Sequence, residues 1–67
     1  MTLAEFIRDN PSSRLILLWF DKYGEVKSVQ CYSNKLTEEV DKLLGMEVMD
    51  YNMADEEEDD WMEVWLR

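Results

Sequence analysis

Histidine is absent from this 67-residue chain, and cysteine occurs once, at position 31. Without imidazole the usual general base and the commonest transition-metal ligand are missing. A serine triad and a cysteine–histidine pair are therefore excluded, and one thiol alone cannot build a structural zinc site. A single cysteine also rules out an internal disulfide and fits a reducing, cytosolic setting. Only two glycines and one proline interrupt the chain, so there is no glycine-rich phosphate loop and connections should be short. No apolar run approaches the ~18 residues of a membrane-spanning helix. The N-terminus lacks the charged-then-apolar pattern of a signal peptide. Basic residues are scarce as well, seven against sixteen acidic ones, for a net charge of −9. Direct binding to nucleic acid needs clustered Lys and Arg to meet phosphates, and an anionic membrane surface asks for the same. Neither partner is expected. A pocket for paired carboxylates to work in is rarely walled by so small a domain. The expectation is a non-enzymatic protein with no cofactor and no dedicated metal site.

What is present points to one compact domain spanning residues 1–67. The hydrophobic fraction is 46%, too high for an intrinsically disordered chain, although a chain of this size buries only about 60% of its unfolded surface and is marginally stable. Thr2 and Glu5 form a capping box ahead of a short helix over about residues 3–9, with Leu3, Phe6 and Ile7 on one face. Asn10-Pro11 ends it, because the residue before proline is pushed out of the α region. Arg14 to Phe20 reads as a strand, apolar on both faces from Leu15 onward and hence central in a sheet. Asp21-Lys22-Tyr23-Gly24 is a turn with Gly24 available for positive φ. Glu25 to Tyr32 is a second, more polar strand, antiparallel to the first. Ser33 or Asn34 caps a helix over about 35–44, whose buried stripe is Leu36, Val40, Leu43 and Leu44, and Gly45 stops it. Met46 to Met53 is a strand whose alternation slips at Val48-Met49, the mark of a bulge or of a change of exposed face. Trp61 to Leu66 is the last strand, with Met62, Val64 and Leu66 on one side and Trp61, Glu63 and Trp65 on the other. The order α-β-β-α-β-β predicts an α+β, two-layer domain: a four-stranded antiparallel sheet of two hairpins with helix 35–44 packed on one face.

The charge is unevenly spread. Residues 1–37 carry five basic and four acidic side chains, a net of +1, whereas residues 38–67 carry twelve acids against Lys42 and Arg67, a net of −10. Six carboxylates are consecutive: Asp55, Glu56, Glu57, Glu58, Asp59 and Asp60. Crowding charge of one sign into a compact domain destabilises it by self-repulsion, so the run points to a positively charged partner. A calcium site of the EF-hand type alternates ligands with spacers around a glycine. Here the acids are contiguous, and neighbours in an extended segment point to opposite sides, leaving at most weak divalent binding. Two readings of the run remain. One is a solvated hairpin loop that supplies solubility. The other is a mimic of nucleic acid: carboxylates at i and i+2 of a strand lie ~6.7 Å apart, close to the spacing of phosphates along one nucleic-acid strand. In that reading Glu47, Asp50, Glu63 and residues 55–60 present a phosphate-like surface to a Lys/Arg-lined groove.

The aromatic residues carry a similar choice. Trp19 is expected in the core. Trp61 and Trp65 either cover the second sheet face against helix 3–9 or form an exposed anchor pair, since tryptophan is enriched at interface hot spots. Such a pair beside carboxylates suits an arginine-rich partner or a homodimer. Met46, Met49, Met53 and Met62 are either flexible core filling or a plastic binding surface. The segment Tyr51-Asn52-Met53-Ala54-Asp55-Glu56-Glu57-Glu58-Asp59-Asp60-Trp61, with the chain's size and hairpin layout, resembles the small acidic anti-CRISPR inhibitors of phages and mobile elements. The resemblance implies that Asp55 to Asp60 occupy the site where a single-chain CRISPR effector nuclease grips two guanines with arginines beside its target. The functional expectation is an inhibitor of a bacterial DNA-binding enzyme, a CRISPR effector first. It would act by filling the basic DNA site, with Trp61 and the acids named above as partner-binding residues. The alternative is a generic interaction or dimerisation module with a solvated acidic loop.

Overall fold

A computed structural model describes the backbone of residues 1–56 and 59–67, and the side chains of residues 1–53 and 61–67. Among the described residues the elements run α1 (Leu3–Asp9), β1 (Arg14–Phe20), β2 (Val26–Tyr32), α2 (Glu38–Asp41), β3 (Val48–Glu56) and β4 (Asp59–Leu66). The four strands form one sheet in the order β2-β1-β4-β3. The α+β class and the two hairpins match expectation, but the sheet is mixed rather than purely antiparallel. β1 pairs antiparallel with β2, and β3 with β4, whereas β1 and β4 are parallel, Leu17 opposite Val64. The cause lies in segment 33–47. It leaves β2 at the Arg14 end of the sheet and delivers Glu47 to the far end, beside Arg67, where Glu47 and Arg67 exchange backbone hydrogen bonds of 3.1 and 3.0 Å. Traversing the sheet instead of turning back at one end reverses β3, and so aligns β4 with β1.

α1 forms where its cap requires. The Thr2 hydroxyl accepts from the Glu5 amide at 3.3 Å, and the Glu5 carboxylate accepts from the Thr2 amide at 3.1 Å. The Leu3 and Ala4 amides, orphaned at a helix start, donate to the carbonyls of Met46 and Leu44 at 2.9 and 3.0 Å. These bonds tie the helix to the segment entering β3. The turn after β1 also follows its residues: Gly24 has φ +81°, and the Asp21 carboxylate accepts from the Tyr23 and Glu25 amides at 2.8 and 3.0 Å.

The second helix is shorter than the 35–44 expected. Lys35 is held back by a bridge to Tyr32, Leu36 is exposed, and regular helix covers only Glu38–Asp41 with Thr37 as N-cap. Tighter turns follow, with Leu43 bonded to Val40 and Met46 to Leu43. Ser33 does not cap it. Its buried hydroxyl accepts from the Ser13 amide at 2.7 Å and donates to the Ser13 carbonyl at 3.1 Å, latching the strand ends together. The bulge expected at Val48-Met49 is present as a register shift between Val48 and Asp50.

The core lies on one side of the sheet. Leu3, Phe6 and Ile7 of α1, with Val40 and Leu43 around α2, pack on Leu15, Leu17, Cys31, Val64 and Leu66. Each fully buried leucine contributes ~1.5–3 kcal/mol relative to exposure. Trp19 packs against this cluster, as expected. Both helices therefore cover the same sheet face.

Candidate functional site: an open aromatic sheet face beside an acidic hairpin

Side chains opposite one another in a ladder share a face, and neighbours along a strand alternate. With Leu15, Leu17, Val64 and Leu66 facing the helices, the register places Arg14, Ile16 and Leu18 of β1 and Trp61, Glu63 and Trp65 of β4 on the other face. Tyr32, Gln30, Ser28 and Val26 join them from β2, and Asp50 and Asn52 from β3. Among the described residues no element packs on this face. Phe20, Val26 and Tyr32 are about half exposed, and Ile16, Leu18, Trp61 and Trp65 are only partly covered. β1 is central and apolar on both sides, as its composition predicts, but one side lacks a cover.

The aromatics of this face shelter one another in two groups. At the Arg14 end, the Tyr32 and Trp61 rings lie 6.0 Å apart, and the Arg14 guanidinium carbon sits 5.9 Å over the Trp61 ring. At the other end, Phe20 stacks on Trp65 at 5.7 Å and 25°. Glu63 lies between the groups, opposite Ile16 on one side and Asn52 on the other. An open groove of about 380 Å³ at the Arg14 end is lined by Gln30, Cys31, Tyr32, Lys35, Thr37 and Trp61. Burial pushes the Cys31 thiol up from its ordinary value, which keeps it protonated and inert as a nucleophile.

The sequence-derived site residues divide. Trp61, Glu63 and Asp50 do share the open face. The Asp50 carboxylate also accepts from the following amide, of Tyr51, at 2.8 Å. Glu47 lies at the far end of β3 from the acidic run and pairs with the N-terminal ammonium at 3.2 Å, so it belongs to the closure of that end. Asp55, Glu56, Asp59 and Asp60 fall within the strands of the hairpin rather than in a loop: Asp55 is opposite Asp60, and Glu56 opposite Asp59. Pairing of β1 with β4 begins at Arg14 and Trp61, so this acidic end runs on past the start of β1. Glu57 and Glu58 lie outside the described residues, as do the side chains of 54–60.

Reasoning from sequence missed Ile16, Leu18, Phe20 and Tyr32 as surface residues. A doubly apolar strand reads as buried on both sides, whereas two short helices are too little material to cover two faces. The chain matches no protein-family model, no curated protein and no solved structure. Among the described residues no helix is long and apolar enough to cross a membrane, and no group of three or more carboxylate or thiol side chains is placed to hold a metal ion.

Proposed function

We propose that this chain is a non-enzymatic binding protein that engages a basic protein surface. It does so with the open face of the sheet and the acidic end of the β3–β4 hairpin, which are continuous through Trp61. The observation that carries the reading is the uncovered face, on which Trp61, Glu63 and Trp65 stand together. A large exposed apolar patch rimmed by charge is characteristic of an interaction surface. The net charge of −10 over residues 38–67 selects a cationic partner and steers the encounter.

The more specific form of the proposal is competition with nucleic acid. A protein groove lined by Lys and Arg for phosphates is a surface of the required charge, and a bacterial DNA-binding enzyme, a CRISPR effector nuclease first, is the favoured target in a bacterial cytoplasm. Support comes from the run 55–60 and from the resemblance of residues 51–61 to anti-CRISPR inhibitors. A purified single-chain CRISPR effector provides the test. Binding to the DNA-free enzyme, lost when DNA is pre-loaded and weakened by salt, is expected. Binding indifferent to DNA rules out mimicry.

The uncovered face favours one other reading, a dimerisation module. Sedimentation that depends on protein concentration, unaffected when Glu56, Glu57 and Glu58 are changed to lysine, identifies that case.

A further inference from the structure

Glu63 is the anomaly of the open face. It is a carboxylate at the middle of β4, partly covered, with Trp61 and Trp65 two residues away on either side, Ile16 opposite on β1 and Asn52 opposite on β3. Among the described residues it has neither a hydrogen bond nor an ion pair. A carboxylate that a partner covers on binding is costly to desolvate unless it is paired, so a protein that covers this face has to supply a donor there. A second copy of the chain fits poorly, since it brings another net −9 and sets acidic faces against each other. Nucleic acid is repelled for the same reason.

The molecule itself sets a guanidinium against one of these indoles. Arg14 already places its guanidinium over Trp61 at 5.9 Å, the distance of a cation–π contact. On one strand face, side chains at i and i+2 are ~6.7 Å apart, so Glu63 lies within reach of a planar group resting on either indole. A guanidinium is flat, weakly hydrated and forked. It can stack on an aromatic face while donating two hydrogen bonds to a carboxylate, which a compact, strongly hydrated ammonium cannot do.

We propose that the strand face Trp61-Glu63-Trp65 is a guanidinium-binding site that takes an arginine side chain of the partner protein. The arginine pairs with Glu63 and lies against the indoles. This rests on the basic-partner reading above and deepens it, because it moves the specific contact from the acidic hairpin to the centre of the sheet. The hairpin then contributes long-range attraction, and Glu63 contributes selection of arginine over lysine.

The test uses the full chain labelled with nitrogen-15 and titrated with hexa-arginine or hexalysine peptide. The three tryptophan indole N–H resonances are the readout. Trp19 packs on the helix side and serves as the internal reference. Hexa-arginine is expected to shift the Trp61 and Trp65 resonances and leave Trp19 in place, with hexalysine binding more weakly. Glu63→Gln, which keeps the shape of the side chain, is expected to weaken hexa-arginine binding about tenfold and to bring the two peptides to similar affinity. A Glu63→Gln chain that melts like the parent yet binds hexa-arginine as tightly overturns the site. So do equal affinities of the parent for both peptides with shifts confined to hairpin amides, although the basic-partner reading survives that outcome. No response to either peptide overturns both. Movement of the Trp61 and Trp65 resonances with protein concentration alone assigns the face to a second copy and overturns the site.

Discussion

Thr2, Glu5 and Asp21 each satisfy backbone amides that would otherwise lack partners, and that is where single residues matter most in a chain with so small a core. Thr2→Ala removes the acceptor for the Glu5 amide and should cost about 1 kcal/mol, read as a lowered urea midpoint with unchanged slope. The hydrogen bond from the Thr2 amide holds the Glu5 carboxyl below its ordinary value of 4.5, and the hydrogen bond from the Glu25 amide does the same for Asp21 below 3.8. Depressed folded values mean that this stability is complete above the ordinary values and drains away as the pH falls through the folded ones. Stability should therefore decline on acidification below about pH 4.5, and a Glu5→Gln, Asp21→Asn double variant should show a flatter acid limb in thermal melts. Ser33 is a third such residue. Ser33→Ala takes the acceptor from the Ser13 amide at a part-buried strand end and should cost ~1 kcal/mol, measured by chemical denaturation.

Among the elements, the β3–β4 hairpin sets the most revealing test. The register places Asp55 opposite Asp60 and Glu56 opposite Asp59, and like charges directly across a ladder are destabilising. Added salt should raise the melting temperature by screening them. Asp59→Lys should do so without salt and reduce the salt dependence, as followed by circular dichroism. If the melting temperature is indifferent to both, the hairpin end contributes nothing to stability. Much of the element pattern was legible from residues alone. The capping box, the Asp21–Gly24 turn and the bulge after Val48 are local, and local chemistry determines them. Helix 35–44 was overread because Leu36, Val40, Leu43 and Leu44 fit a helical period. The bridge between Tyr32 and Lys35 competes for the first turn, and no periodicity reports such a contact.

For the whole molecule, the position of the helices decides which face of the sheet is left open. Both helices settle on the Leu15–Leu17–Val64–Leu66 side, and the tryptophans of β4 are left at the surface. A partner that covers this face should quench or blue-shift the fluorescence of Trp61 and Trp65. Reversing Glu56, Glu57 and Glu58 to lysine should slow association far more than it speeds dissociation, because remote charge acts mainly on encounter. Stopped-flow fluorescence against a basic partner protein of the proposed kind separates the two rates. An unchanged association rate would falsify the steering role of the hairpin.

Composition and short-range pattern were enough to exclude histidine chemistry, an internal disulfide and a structural zinc site, to place six elements in order, and to locate the charge in the C-terminal half. Each of these depends on residue identity or on neighbours a few positions apart. The parallel pairing of β1 with β4, the separation of Glu47 from the acidic run, and the exposure of Trp61, Glu63 and Trp65 depend on where segment 33–47 crosses the sheet. That path is set by contacts between residues distant in the chain, among them Leu3 with Met46 and Glu47 with Arg67. Only the packed structure brings those residues together.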